Sequence, residues 1–123
     1  MDFINLFLIS VPTDVPPHFQ CKQESENEIA LSWDHLDPNK WNGYMKGYQL
    51  EFVKYNTGTN YTRMNFTSEI REKVLGGLEP FTKYEIYIRA MTNAGTGPRG
   101  WCVQSTQEGS RWIHGVFLIK YRV

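Results

Sequence analysis

The chain has 123 residues, with 13 Lys plus Arg against 13 Asp plus Glu, so its formal net charge is zero. That length allows one ordinary domain and excludes a barrel enzyme or a dinucleotide-binding fold with a separate substrate domain. Hydrophobic residues make up 41% and aromatics 15%, enough to build a core, while charge neutrality offers no global field for nucleic acid or an anionic membrane surface.

From the N-terminus, Met1 to Ser10 is mostly apolar, with Phe3, Ile4, Leu6, Phe7, Leu8 and Ile9. A secretory leader looks like this but wants a basic start and a small-residue cleavage site; Asp2 and the absence of A-x-A count against one. A stray extension is the plainer reading. Val11-Pro12-Thr13-Asp14-Val15-Pro16-Pro17 favours an extended polyproline-like backbone and reads as a stiff linker. Glu28 to Trp33 alternates, with Ile29, Leu31 and Trp33 on one face, and predicts a half-buried strand. Tyr48 to Tyr55 alternates with Tyr48, Leu50 and Phe52 inward. Tyr84 to Ala90 is the most regular segment: Tyr84, Ile86, Ile88 and Ala90 form one apolar stripe, and a one-residue slip would expose all of it. Weaker strands are expected at Phe19–Gln23, Tyr61–Phe66, Lys73–Leu75 and Trp101–Thr106. Turn clusters separate them, including Asp37-Pro38-Asn39, Asn42-Gly43, Asn56-Thr57-Gly58 and Gly76-Gly77. Short strands at this spacing without helical periodicity predict a seven-stranded antiparallel β-sandwich. Arg111 to Val123 is apolar in part, but too short to span a bilayer.

In order and spacing, these residues resemble a fibronectin type III domain over about residues 15–109. The resemblance rests on Pro16-Pro17, on Trp33 at the end of the second strand, and on Asn42-Gly43 followed by Gly47-Tyr48. Leu78-Glu79-Pro80-Phe81-Thr82-Lys83-Tyr84 matches the family's L-x-P-x-T-x-Y element. Ala90 to Pro98 matches its A-x-N-x-x-G-x-G ending, with Thr92 extra or shifted. The resemblance implies an immunoglobulin-like sandwich with strands A-B-E packed against C-C′-F-G. It makes Trp33, Tyr48, Leu78, Pro80, Tyr84, Ile86 and Ile88 residues of the structural core, with Tyr84 forming a tyrosine corner and Pro80 fixing the turn before it. Residues 1–14 then become an N-terminal extension with a proline-rich linker, and 110–123 a C-terminal extension.

In such a sandwich the first and last strands approach one another, which brings Cys21 and Cys102 within reach. A bridge would close a loop of about eighty residues, worth roughly 4–5 kcal/mol in the chain-entropy model. Two reduced, buried cysteines remain the alternative. Asn60-Tyr61-Thr62 and Asn65-Phe66-Thr67 are N-glycosylation sequons, and with a disulfide they would favour an oxidising compartment.

Several motifs invite chemistry and fail on context. Gly95-Thr96-Gly97-Pro98-Arg99-Gly100 spells G-x-G-x-x-G, yet Pro98 and a strand stand where a helix N-terminus must receive the pyrophosphate. Asp34, Asp37 and Asn39 lack calcium-loop spacing. Two isolated cysteines without histidines at ligand spacing argue against zinc, and no nucleophile elbow is present. No catalytic residue, cofactor or metal is expected.

The resemblance implies a non-enzymatic extracellular binding or spacer module, part of a cell-surface receptor or adhesion protein. Its expected partners are a protein or neighbouring domains, with no nucleic acid or small-molecule substrate, and membrane association only through other parts of a longer chain. An intracellular structural module of a filament-associated protein is the alternative, marked by free thiols and bare Asn60 and Asn65. Within this fold Trp41 and Arg99 lie in loops at one end, and their residue types suit interface hot spots; Trp41 could equally fold over the sandwich rim.

Overall fold

The computed structural model describes residues 10–107 in full, and residues 111–113 and 116–118 as backbone strands. The signal-like stretch therefore lies outside the described residues except for Ser10. The strands are β1 (Gln20–Ser25), β2 (Glu28–Ser32), β3 (Met45–Lys54), β4 (Thr62–Phe66), β5 (Glu72–Leu75), β6 (Lys83–Thr92), β7 (Gly95–Thr96), β8 (Gly100–Ser105), β9 (Arg111–Ile113) and β10 (Val116–Leu118), with one 3-10 turn at Pro38–Lys40.

β1, β2 and β5 form one antiparallel sheet in the order β1-β2-β5, and β4-β3-β6 form the other, extended by β7 and β8, which both pair with β6. This is the A-B-E against C′-C-F-G arrangement that the resemblance implies. A bridge and a hairpin stand beyond the seven expected strands. β7 is a two-residue bridge that pairs Thr96 and Gly95 with Met91 and Thr92 at the end of β6. β9 and β10 form a short hairpin pairing Val116 with Ile113 and Leu118 with Arg111.

Alternation explains why these segments became strands. On β6, Tyr84, Ile86, Ile88 and Ala90 are all buried and meet Ile29 and Leu31 of β2 and Leu75 of β5, with Tyr48 and Leu50 of β3 alongside. Trp33 lies one residue past β2 and is 2% exposed. Its ring stands edge-on to Tyr48 at 5.8 Å and tilted to Phe66 at 6.2 Å between centroids. It therefore fills the gap between sheets, where edge-to-face ring pairs add to area burial.

Two tyrosines staple loops to this core. Tyr84 Oη accepts the Glu79 backbone N–H at 3.0 Å, which is the tyrosine corner. Tyr48 Oη accepts the Leu36 N–H at 3.1 Å, and burial pushes its phenol above the ordinary range. Removing the first hydroxyl leaves the Glu79 amide without its partner, so Tyr84→Phe is expected to cost about 1 kcal/mol. Urea unfolding should show this as a lower midpoint at unchanged slope. Pro80 corrects one expectation: it is exposed. Its carbonyl accepts the Thr82 hydroxyl at 2.8 Å, so it shapes the turn while Leu78 beside it fills the core.

Gly47 sits where the β3–β6 register shifts between Met45 and Gly47. Its φ is +146°, and a Cβ there would overlap the Phe66 carbonyl. Neither strain nor clash can relax without moving β4. Gly47→Ala is expected to destabilise the fold by about 2–3 kcal/mol or more, measured by the same denaturant titration.

The stretch Val11–Pro17 lies against the sandwich. Pro12 and Pro16 are fully buried, Thr13 donates its N–H to the Lys40 carbonyl at 3.0 Å, and the Ser10 carbonyl accepts the Thr92 hydroxyl at 2.7 Å. An extended, donor-poor proline segment suits this strap, since a proline ring can be buried without stranding an N–H.

Candidate functional site

The outer face of the larger sheet is built by cross-strand register. One transverse row runs Arg63 (β4), Glu51 (β3), Tyr87 (β6) and Trp101 (β8). The next holds Val53, Glu85 and Val103, and the next but one begins with Lys83 paired to Ser105. On the other side Asn65, Gln49 and Arg89 continue the face. Period-2 geometry puts these side chains opposite the core stripe.

Charge on this face is organised around two carboxylates, and both are occupied. Glu51 Oε2 accepts from Arg63 Nη2 at 2.8 Å, and its Oε1 lies 3.6 Å from Arg89 Nε, with only a tenth of the Glu51 side chain exposed. A carboxylate that covered needs this pairing. Glu85 Oε2 accepts the Tyr87 hydroxyl at 2.5 Å, and its Oε1 accepts the Asn56 N–H at 2.8 Å. The Tyr87 hydroxyl, and after it the Asn56 amide, hold the Glu85 carboxyl below its usual range. The same Glu85 contact, with desolvation second, pushes the Tyr87 phenol up.

The cations Arg99 and Lys83 lie over rings. The Arg99 guanidinium sits 4.1 Å from the Tyr87 ring centroid, and the Lys83 ammonium 4.9 Å from that of Tyr55. Around them Trp101 is 65% exposed, Tyr55 50% and Tyr61 40%. Tyr55, Tyr87, Arg99, Trp101 and Val103, with Asn56 and Glu85, line a shallow depression of about 480 Å³. Trp, Tyr and Arg in such a setting are the residue types that dominate protein–protein hot spots.

The structure separates Trp41 from Arg99. The Trp41 indole donates to the Leu36 carbonyl at 2.9 Å and packs on the core. Arg99 turns back onto the sheet face over Tyr87. Sequence reasoning named Arg99 but missed Tyr55, Tyr87, Lys83 and Trp101. The outward positions of β6 and β8 carried that signal, since Tyr87 lies between Glu85 and Arg89, and Trp101 alternates against Cys102.

Cys21 and Cys102 are joined, with 6.4 Å between Cα atoms and a separation of 81 in sequence. The bond ties β1 to β8 across the open side of the sandwich. Asn60 and Asn65 are exposed. Asn65 lies on β4, which among the described residues pairs only with β3, and its side-chain Oδ1 accepts from Gln49 Nε2 at 3.3 Å. Among the described residues no three His, Cys, Asp or Glu side chains converge to hold a metal ion. Nor is any described helix long and apolar enough to cross a membrane.

Comparison with known proteins places this architecture. A family model described as "Fibronectin type III domain" matches residues 14–106. The rat cell adhesion molecule DSCAM is 28% identical over 93 residues, covering 72% of this chain and 5% of its own. The human cell adhesion molecule DSCAML1 is 30% identical over 93 residues, covering 75% of this chain and 4% of its own. The mouse receptor-type tyrosine-protein phosphatase F is 29% identical over 93 residues, covering 72% of this chain and 5% of its own. The chain thus spans about one-twentieth of the length of these relatives, at 4–5%. Among solved structures, the third fibronectin III domain of human KIAA0343 protein superposes with a TM-score of 0.74 at 23% identity, covering 86% of this chain and 91% of that one. The relatives are adhesion molecules and receptor-type proteins, and the match spans most of the chain in sequence and in structure: it belongs to the fibronectin type III family.

Proposed function

We propose that this chain is a non-enzymatic, extracellular protein-binding module of an adhesion or receptor-type protein. One observation carries the reading. The relatives it resembles over its sandwich are cell adhesion molecules and a receptor-type phosphatase, each far longer than this chain. Fold alone does not assign a function, but two features of the molecule agree with the reading. The Cys21–Cys102 bond belongs to an oxidising compartment. The face where Arg99 covers the largely buried Tyr87 ring beside the exposed Trp101 has the composition of an interface. Sugars on Asn60 and Asn65 would cover the free edge of β4, where an unpaired strand invites aggregation. They would leave the β6–β8 side of the same face open. A disulfide argues against an intracellular filament module, as would sugars on Asn60 and Asn65.

The test is made on the native protein. Intact cells are treated with a membrane-impermeant amine reagent, and the chain is then purified, deglycosylated enzymatically and peptide-mapped. The expected result is labelling without permeabilisation, with Asn60, Asn65 or both converted to Asp by the glycosidase. Labelling only after permeabilisation, with both asparagines unmodified, would contradict it.

A further inference from the structure

We propose that the depression between Tyr55, Tyr87 and Trp101 docks an acidic protein segment. One large apolar side chain of the segment lodges in the depression, and carboxylates flanking it reach Arg99 and Lys83. The proposal rests on the protein-binding reading above and names what that binding recognises.

Charge complementarity chooses the partner. The face carries four cations, Arg63, Lys83, Arg89 and Arg99, against two anions, Glu51 and Glu85. Glu51 is consumed by Arg63 and Arg89. Glu85 accepts hydrogen bonds from the neutral Tyr87 and Asn56 and keeps its charge near Arg99, so four cations against two anions leave a net surplus of two positive charges. Arg99 and Lys83 make no ion pair with a carboxylate among the described residues. A guanidinium stacked on a ring keeps its N–H edge outward, pre-organised for a bidentate carboxylate. The surplus is positive and sits on exposed residues lying over the rings of the face, so an incoming basic segment would be repelled.

The depression explains the apolar anchor. Trp101 leaves 65% of its surface in solvent, and Tyr55 leaves 50%. Together with Tyr87 and Val103 they wall a space of about 480 Å³, the scale of one side chain with neighbouring backbone. Burying an aromatic there removes apolar area from both partners, while the neighbouring cations strengthen as water leaves.

The experiment uses the full chain, isotopically labelled, titrated by amide NMR with the peptide Asp-Glu-Phe-Glu-Asp. Comparison probes are Lys-Arg-Phe-Arg-Lys, Asp-Glu-Ser-Glu-Asp and heparin. The acidic aromatic peptide should bind best, moving the amides of Glu85, Tyr87, Arg99, Trp101 and Val103, and should weaken as salt rises. Arg99→Glu with Lys83→Glu, or Trp101→Ser, should each weaken it by about tenfold, a hot-spot-sized loss. Val74→Ser on the other sheet should change nothing. All four substituted residues are exposed, and circular dichroism confirms that the variants stay folded. Equal binding of the basic peptide, shifts centred elsewhere, or tighter binding of heparin would overturn the proposal. Binding of the full chain to intact cells separates the two levels. If the double reversal leaves saturable binding unchanged, this docking site is wrong and the protein-binding reading stands. If the unmodified chain shows no saturable binding, both fall.

Discussion

Replacing Trp33 with alanine is expected to cost about 3–5 kcal/mol of unfolding free energy, the range for losing a buried aromatic with incomplete collapse around it. The ring is 2% exposed and touches Tyr48 and Phe66 across the gap between the sheets. Neither neighbour can swing in to fill the space. Tyr48 is held by its hydrogen bond from Leu36, and Phe66 pairs with Tyr48 across β3 and β4. Trp33→Phe separates the ring from its polar atom. Among the described residues the buried Trp33 Nε1 has no acceptor, so losing it removes an unpaired donor rather than a bond, and the desolvation already spent on it is recovered. The phenylalanine variant should therefore unfold at a denaturant concentration much closer to that of the parent than the alanine variant. Equal losses for both would show that the indole N–H contributes as much as the ring.

Removing the disulfide, as Cys21→Ser with Cys102→Ser, is expected to cost about 2–5 kcal/mol, and the loss should fall first on β1. β1 has little else to hold it to the core. Along Gln20–Ser25 only Cys21 and Ser25 are even half-buried. The remaining ties are its ladder to β2, the Gln23 amide on the Thr106 carbonyl at 3.3 Å, and the Gln107 N–H on the Ser25 carbonyl at 3.0 Å. Each hydrogen bond contributes about 1 kcal/mol net, so the covalent tie dominates. Hydrogen exchange should show β1 amides opening well below the global unfolding free energy in the double variant and close to it in the parent. Uniform acceleration across both sheets would mean that the bond acts only on the unfolded chain.

Much of the sandwich was legible because alternation is a local signal. Tyr84, Ile86, Ile88 and Ala90 declared their face within seven residues, and all are buried. The Tyr84 hydroxyl reached the Glu79 amide just upstream. What alternation cannot show is which element lies opposite. The prolines at 12 and 16 read as a stiff linker, yet an extended donor-poor backbone equally suits a strap; the segment is held by Lys40 and Thr92, far away in sequence. Trp41 read as a loop residue, while its indole is anchored to Leu36. The Tyr87–Trp101 face was illegible for a related reason. Tyr87 and Trp101 occupy outward positions that look solvated one strand at a time. They gain meaning only when the β6–β8 register sets them side by side and Arg99 folds over the Tyr87 ring.

A sandwich fastened covalently across its open side needs surroundings in which thiols stay oxidised. The state of the two thiols is read most directly by trapping them in the native tissue with a permeant maleimide before lysis, then mapping peptides without reduction. The expected result is a Cys21 peptide linked to a Cys102 peptide, with neither cysteine alkylated. Alkylation of both cysteines in the freshly trapped, denatured protein would contradict the account, because β1 would then be held without the bond and the reducing interior of the cell would be its home.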